Sequence, residues 1–287
     1  MSSPADLSVF LAHVAHVYPL LGSAEALERV ACEAVEDAAT DGVDYLELRF
    51  GPATHARSGF PVGAAVDAVC RGAEEGRRRS GALAGIVVCA LRHHDGETNL
   101  EVAREAARRA GSGVVGFDVA GDELLFPALE PYRAPFAIAA AAGLGLTAHV
   151  AEAGPGENVL AAVEELGIRR IGHGTRAAGD EALLRRAGGE GVVFEVCPTS
   201  NVLTGAVRAL HAHPARRFLD HGCGVVLGDD DPVTTGSSFS REERVLVDEA
   251  GLTPLELEQV RRLSVEVAFC DQGDRALLRS RLAVEAA

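Results

Sequence analysis

Short apolar runs alternate along this chain with longer segments that have helical period. Seven of the short runs are candidate β-strands, and most of them are almost continuously apolar, as in parallel strands covered on both faces. The pattern therefore predicts parallel strands over Asp44–Phe50, Gly85–Leu91, Gly113–Val119, Leu144–His149, Arg169–Gly172, Gly191–Cys197 and Gly224–Gly228.

The segments between these runs carry signals for helix starts and ends. Apolar residues share one face of Ser23–Thr40. Elsewhere the signals are capping boxes, a first-turn proline and a terminal glycine. They predict a helix over Asn99–Ala110 opened by Thr98 and Glu101, a helix over Glu157–Leu166 stopped by Gly167, and a long C-terminal helix opened by Thr253, Pro254 and Glu256.

Alternating strands and helices without a Pro- or Ser-rich linker predict one α/β domain over residues 1–287. Seven strands are one fewer than a closed (β/α)8 barrel needs and are enough for a doubly wound open sheet. The pattern alone favours neither architecture. The first predicted strand is not followed by G-x-G-x-x-G, which weakens the case for a dinucleotide-binding sheet.

Composition narrows the possible partners and chemistry. The formal net charge is −15, which disfavours nucleic acid or an anionic membrane as the main partner. The chain has no lysine, which excludes a Schiff-base lysine and a phosphate-loop lysine. We expect a cytoplasmic protein, because the N-terminus lacks a secretory pattern, no apolar run is long enough to span a membrane, and the cysteines form no C-x-x-C pair. The six cysteines expected to be reduced are Cys32, Cys70, Cys89, Cys197, Cys223 and Cys270.

Ionisable residues follow three of the predicted strands. His149 is followed by Glu152, His173 stands between glycines, and three aspartates from Asp229 to Asp231 precede Pro232. Taken singly, a histidine at a strand end is most often structural, and Asp before Pro is typical of a helix N-cap. At equivalent strand ends, two imidazoles and two carboxylates together fit a zinc site with a general acid and a general base.

Six motifs follow one another along the chain: YLELRFGP (45–52), VVGFDVAGDE (114–123), AHVAEAG (148–154), IGHGT (171–175), FEVCPTSNVLTGA (194–206) and GDDDP (228–232). These motifs resemble those of the adenosine deaminase family of zinc aminohydrolases, and their order and spacing are similar to those of the family. The resemblance implies a (β/α)8 TIM-type barrel of the metal-dependent hydrolase kind. It also implies hydrolytic deamination of adenosine or a related 6-aminopurine nucleoside by a zinc-activated water, giving an inosine-type product and ammonia.

The resemblance assigns roles to six residues. His149 and Asp230 resemble zinc ligands, and Glu152 resembles the acid that protonates N1 of the purine. His173 resembles the base that orients and deprotonates the attacking water. Asp231 resembles the residue that hydrogen-bonds the attacking hydroxide and the purine, and Gly121 resembles the glycine whose backbone contacts the ring. We expect one Zn2+ per chain and a small-molecule nucleoside as the partner.

The chain departs from the family at its first motif. The family begins with an H-x-H on its first strand that supplies two zinc ligands, and no such pair precedes the DYLELRF run. The resemblance therefore predicts a barrel that lacks its first strand and a zinc site short of two ligands. The positions of the other histidines do not suit them to replace the missing pair. His211 and His213 are predicted to lie in a loop, and His13 and His16 on a helix. His93 and His94 follow the second predicted strand.

Three explanations of the departure stay open. The first is a deaminase whose natural N-terminus is longer, with Met1 a misassigned start or a truncation. The second is an inactive or partly active relative that binds a nucleoside or a partner without turnover. The third is an assembly in which another chain supplies the first strand. Adenosine, an aminodeoxyfutalosine-like modified adenosine and adenine are the substrate options.

Overall fold

The computed structural model describes residues 7–57 and 59–285 as parallel strands that alternate with helices. The strands are β1 Tyr45–Phe50, β2 Leu83–Leu91, β3 Val114–Ala120, β4 Gly145–Val150, β5 Arg170–His173, β6 Val193–Val196 and β7 Gly224–Leu227. The helices are α1 Leu7–Val14, α2 Ala24–Thr40, α3 Val62–Ser80, α4 Gly96–Arg108, α5 Arg133–Ala141, α6 Asn158–Leu166, α7 Glu181–Gly189, α8 Pro198–Leu203, α9 Ala215–Asp220, α10 Pro232–Thr235, α11 Phe239–Asp248, α12 Pro254–Val267 and α13 Gln272–Glu285.

The described residues form two compact units. The first, here the β1–β3 unit, comprises residues 16–57, 59–120, 131–146 and 265–285. The second, here the β5–β7 unit, comprises residues 7–15, 121–130 and 147–264. Strand β4 contributes its first two residues to the β1–β3 unit and its last four to the β5–β7 unit.

All seven predicted strands are confirmed, with ends that differ by no more than two residues from the predicted ones. In the β1–β3 unit the strands pair in parallel in the order β1, β2, β3, β4, and in the β5–β7 unit they pair in parallel in the order β4, β5, β6, β7. Each strand lies beside the next one in the chain, as in a barrel, and the order never reverses as it does in a doubly wound sheet. The TIM-type α/β class is thereby confirmed, with seven strands among the described residues.

Strand β1 is anchored in the β1–β3 unit by the segment that precedes α13. The hydroxyl of Tyr45 donates a 2.7 Å hydrogen bond to the backbone carbonyl of Phe269, and the backbone N–H of Phe269 donates to the carboxylate of Glu47 at 2.6 Å. The ring of Phe269 lies against β3 and β4 where Gly116 and Gly145 stand. A Cβ at Gly145 would meet this ring at 2.1 Å, so a close approach of ring and backbone requires glycine there.

Helix ends follow the predicted chemistry with two exceptions: the C-terminal region forms two helices, α12 and α13, instead of one long helix, and α4 starts earlier than predicted. Helix α12 has the predicted capping box: the N–H of Thr253 donates to Glu256 at 2.8 Å, and the N–H of Glu256 donates to the Thr253 hydroxyl at 3.2 Å. The predicted start of the helix at Asn99 was wrong. Helix α4 begins three residues earlier, because the carboxylate of Asp95 accepts the N–H of Thr98 and caps the helix.

Within the described residues, no helix is both long and apolar enough to span a membrane. All six cysteines are free thiols, as expected. The single domain over residues 1–287 stays a prediction.

Candidate active site

The candidate site is built entirely from residues of the β5–β7 unit. Its strands are parallel, so their carboxyl ends lie at the same edge of the sheet. The residues at or just after these ends include His149 on β4, His173 on β5 and Asp230 after β7. In the register of β4 and β5, His149 stands opposite Gly172 and Val150 stands opposite His173.

Three side chains that could hold a metal ion converge at this edge. Ligand atoms from His149, His173 and Asp230 all lie within 4.8 Å of one another. The two imidazole rings are tilted by 59° with their centroids 5.0 Å apart. Imidazole nitrogen and carboxylate oxygen are donors that suit zinc, so the residues present fit such an ion. Among the described residues this is the one group of three that meets the criterion.

Backbone strain is concentrated at the same place. Among the described non-glycine residues, positive φ angles occur at Ala151 (56°), His173 (63°) and Asp230 (61°). This region is costly for residues that carry a Cβ, and such residues cluster at functional sites. Two of the three donors in the group therefore stand on backbone that ordinary strand termini do not adopt.

Glu152 lies buried beside His173. Its Oε2 atom is 3.7 Å from Nε2 of His173. Its Oε1 atom accepts a 2.8 Å hydrogen bond from the hydroxyl of Thr204 and a 3.2 Å bond from the amide of Asn201. The two donors fix one oxygen of the carboxyl group and leave the other facing the histidine.

The loop that carries Glu152 is held by a second buried glutamate that the sequence reasoning missed. The carboxylate of Glu123 accepts the backbone N–H groups of four successive residues, Ala151 to Gly154, at 2.8–3.2 Å. Because four donors converge on one side chain, the loop after β4 is fixed where it holds Glu152. The acidic residue at the end of VVGFDVAGDE was a signal for this contact, but only the fold brings the two segments together.

A buried histidine and asparagine extend the site behind Glu152. Nδ2 of Asn201 lies 2.9 Å from Nδ1 of His173, and its Oδ1 lies 3.1 Å from Nε2 of His213. Nδ1 of His213 accepts the backbone N–H of Ala215 at 3.2 Å. Burial lowers the pKa of His213 to about 3, with a smaller contribution from the nearby His173.

The sequence places His213 in an H-x-H pair with His211 and predicts that this pair does not bind the metal. In the structure both of its ring nitrogens have hydrogen-bond partners, and it is not one of the three grouped donors. The sequence reasoning did not foresee its contact with Asn201. Of the other histidines weighed as possible ligands, His13 and His16 are exposed, and His93 and His94 form an edge-to-face pair after β2.

The aspartates after β7 have separate partners. Asp230 accepts a 2.5 Å hydrogen bond from the hydroxyl of Ser200. Asp231 caps α10, where its carboxylate accepts the N–H and the hydroxyl of Thr234 at 3.3 and 2.7 Å. The N-cap expected before Pro232 and the predicted metal group therefore coexist, on adjacent residues.

Gly121 lies directly after β3 with a φ of 115°, a conformation that favours glycine. Its neighbour Asp122 accepts a 2.5 Å hydrogen bond from the hydroxyl of Ser8 on α1. The structure thus brings together His149, Glu152, His173 and Asp230, whereas the contacts of Asp231 are to Thr234.

A buried ion pair lies on the strands that carry the site. Nε of Arg170 on β5 contacts Oε1 of Glu195 on β6 at 2.5 Å, and both side chains are less than 10% exposed. The other oxygen of Glu195 accepts the hydroxyl of Thr147 on β4 at 3.0 Å. Three neighbouring strands are thereby joined by side chains as well as by backbone.

Comparison with known proteins identifies a family for the whole chain. The sequence model described as adenosine deaminase matches residues 1–285. The adenosine deaminase of Erwinia tasmaniensis is 36% identical over 280 residues, covering 97% of this chain and 83% of that protein.

Two solved structures are similar in fold and sequence. The adenine deaminase from Arthrobacter aurescens has a TM-score of 0.90 and 25% identity, covering 98% of this chain and 86% of that one. An amidohydrolase from Burkholderia ambifaria with bound Zn has a TM-score of 0.84 and 26% identity, covering 92% of this chain and 74% of that one.

Proposed function

Because the chain belongs to the adenosine deaminase family and is an enzyme of the amidohydrolase kind, we propose that it removes the 6-amino group of adenosine by hydrolysis. In this reaction a water oxygen forms a bond to C6 of the purine, the bond from C6 to the amino nitrogen breaks, and ammonia leaves. The observation that carries the proposal is the meeting of His149, Glu152, His173 and Asp230 at one sheet edge.

We propose Zn2+ as the metal, held by His149 and Asp230. Their donor atoms fit zinc chemistry, and a relative 26% identical to this chain contains bound Zn. When bound, zinc lowers the pKa of a coordinated water to about 7 and so provides a nucleophile at neutral pH. The hydroxyl of Ser200 orients the carboxylate of Asp230 for this role.

Glu152 is the proposed general acid. Attack at C6 is easier once N1 of the purine is protonated, so the site needs a carboxyl group that can deliver a proton. Oε1 of Glu152 is already occupied by Asn201 and Thr204. Oε2 is therefore the atom from which a proton can be given to N1.

The remaining proposed roles concern water and substrate. His173 binds and orients the attacking water, a role supported by its position beside both Glu152 and the donor group. Asp231 is proposed to contact the attacking oxygen and the purine. The backbone of Gly121, which lacks a side chain that would block access, is proposed to contact the ring.

Adenosine is the preferred substrate because the similar curated relative is an adenosine deaminase over 97% of this chain. Adenine ranks second, because the similar solved structure is an adenine deaminase at 25% identity. We propose that the reaction takes place in the cytoplasm, which suits six free thiols. A formal net charge of −15 supports a small-molecule partner rather than nucleic acid.

The test is an absorbance and ammonia-release assay of the zinc-supplemented chain with adenosine, adenine and aminodeoxyfutalosine. We expect adenosine to give inosine and one ammonia per turnover, with the highest kcat/KM of the three. Ammonia release from adenine alone would keep the reaction and overturn the substrate. A zinc-loaded, folded chain that binds adenosine without releasing ammonia would overturn the reaction and favour a binding protein.

A further inference from the structure

Asn201 on α8 is fully buried and joins three functional side chains. Its amide group contacts Oε1 of Glu152 at 3.2 Å, Nδ1 of His173 at 2.9 Å and Nε2 of His213 at 3.1 Å. One amide thus lies between the proposed acid and the proposed water-binding histidine. The directions of these hydrogen bonds determine which atoms carry protons.

The directions are set by a backbone group at the far end of the network. The N–H of Ala215 can only donate, so Nδ1 of His213 accepts and carries no proton. His213 is neutral at neutral pH, since its burial keeps the ring uncharged. Its single proton is therefore on Nε2, which donates to Asn201.

The orientation of the Asn201 amide follows from this donation. The atom that accepts from His213 is the carbonyl oxygen Oδ1, so the NH2 group points to the opposite side. Its two protons face Oε1 of Glu152 and Nδ1 of His173. The reversed amide would place its oxygen against the Oε1 atom of Glu152, so that two acceptors would meet. It would also place its NH2 group against the Nε2–H of His213, so that two donors would meet.

The consequence reaches His173. Its Nδ1 accepts from Asn201, so the neutral ring carries its proton on Nε2. Nε2 is also the atom that lies 3.7 Å from Oε2 of Glu152. A ring in this state offers the site an N–H donor and has no lone pair on Nε2 for a metal ion or for a proton.

We propose that Asn201 is a positioning residue. Its amide, held by His213 and the backbone N–H of Ala215, fixes His173 as the Nε2–H tautomer and orients the carboxyl group of Glu152 by a hydrogen bond to Oε1. The roles of Glu152 and His173 in this proposal rest on the proposed function. His173 then holds the attacking water by donating to its oxygen, and the metal ligands are His149 and Asp230 without His173. Because its Nε2 atom already carries a proton, His173 cannot be the base that the sequence-based prediction makes it.

The experiment is NMR of the full chain with histidine labelled with heavy nitrogen in the ring, recorded as purified with zinc and after chelation. Correlations between ring nitrogens and ring carbon-bound protons distinguish Nε2–H from Nδ1–H, and His173→Gln identifies the signal. We expect Nε2–H for His173 in both states. A proton on Nδ1, or on both nitrogens, in either state overturns the assignment.

Asn201→Asp tests whether Asn201 sets the tautomer, and Asn158→Asp is the matched control. A carboxylate at position 201 still accepts from His213 but now also accepts from His173, so we expect the His173 proton to move to Nδ1. The control makes the same chemical change at an amide that contacts only the backbone carbonyl of Pro127 and leaves the Nε2–H signal in place.

An unchanged Nε2–H signal in folded Asn201→Asp would show that Asn201 does not set the tautomer. If this variant does not fold, the wild-type spectrum still decides the assignment. The NMR result is independent of turnover, so a chain that shows Nε2–H but deaminates no nucleoside would refute the proposed function and leave this network in place.

Discussion

Each of the two units has a pair of histidines at strand ends, and the pairs differ in what surrounds them. In the β1–β3 unit, His93 and His94 follow β2, with ring centroids 4.3 Å apart. In the β5–β7 unit, the rings of His149 and His173 are 5.0 Å apart. The second pair lies beside two carboxylates of its own unit, those of Asp230 and Glu152.

A histidine at a strand end becomes a functional candidate through the carboxylates that neighbouring strands bring to it. The backbone differs as well. His173 has a φ of 63°, whereas the N–H of His94 donates to the carbonyl of Leu91 in an ordinary turn. Burial lowers the pKa of His94, with a smaller contribution from His93, and the exposed Asp95 beside it acts in the opposite direction. Among the described residues, neither His93 nor His94 belongs to the group of donors that could hold a metal ion.

The largest expected effect comes from breaking the pair in the β5–β7 unit. His149→Gln removes a proposed zinc ligand and the several kcal/mol that the metal provides, so we expect kcat/KM to fall by about 10,000-fold. His94→Gln is the matched change in the β1–β3 unit and should alter kcat/KM by less than about 2-fold. Steady-state kinetics with adenosine and zinc content per chain are the measurements.

Equal losses in the two variants would contradict the comparison, because they would place His94 in the machinery as well. Retention of one zinc per chain in His149→Gln would contradict its assignment as a ligand.

The second-largest expected effect concerns the proton that Glu152 is proposed to deliver to the purine. Glu152→Gln keeps the size of the side chain but cannot deliver a proton to N1, so we expect kcat to fall by about 1,000-fold, within the range for general acid catalysis. Glu101→Gln on α4 of the β1–β3 unit is the exposed control and should match the wild type. Thermal melting of both variants separates a loss of chemistry from a loss of fold, and a Glu152→Gln enzyme within about 3-fold of wild type would remove Glu152 as the acid.

Stability offers a third contrast, because each unit holds an ion pair on its strands. Arg170→Met removes the cation that neutralises the buried carboxylate of Glu195, and we expect the free energy of unfolding to fall by about 3 kcal/mol. Arg49→Met removes the cation that faces Asp118, but that pair is longer, at 3.5 Å, and Arg49 is 24% exposed. Urea titration should therefore give the smaller loss for Arg49→Met, and the reverse order would show that burial does not govern these pairs.

The smallest effect is a pH dependence. Burial holds the pKa of His213 at about 3, while the unfolded chain binds that proton near the ordinary histidine value of about 6.5. Between these values the unfolded state binds more protons, so the stability falls as the pH falls. From pH 7 to pH 5 the contribution is about 2 kcal/mol.

His213→Gln should flatten this part of the stability curve, because the amide does not titrate. His94→Gln in the β1–β3 unit should flatten it less, since His94 is only half-buried. Urea titrations at a series of pH values measure both, and a wild-type slope that survives in His213→Gln would show that other groups cause it.

The strands were predictable because parallel strands covered on both faces are almost continuously apolar, and apolar runs can be seen in one sequence. Helix starts were less secure. Thr98 and Glu101 satisfied the capping-box pattern, yet Asp95 caps α4, because several polar residues compete for one helix start and packing selects among them.

The candidate site was predictable as far as it follows strand ends and family motifs. His149, Glu152, His173 and Asp230 lie close together at the carboxyl ends of β4, β5 and β7, and their roles stay predictions. The supporting residues were not predictable, because Glu123, Asn201 and His213 act across 12 or more residues of chain through hydrogen bonds that only the fold creates.

The most direct test of the central claim, that the β5–β7 unit carries a hydrolytic deamination centre, is mass spectrometry of the product formed from adenosine in heavy-oxygen water. We predict inosine with one heavy oxygen atom at C6 and one ammonia released, from the zinc-supplemented wild type and from His94→Gln, and none from His149→Gln. Unlabelled inosine, or labelled inosine formed equally by His149→Gln, would contradict the account.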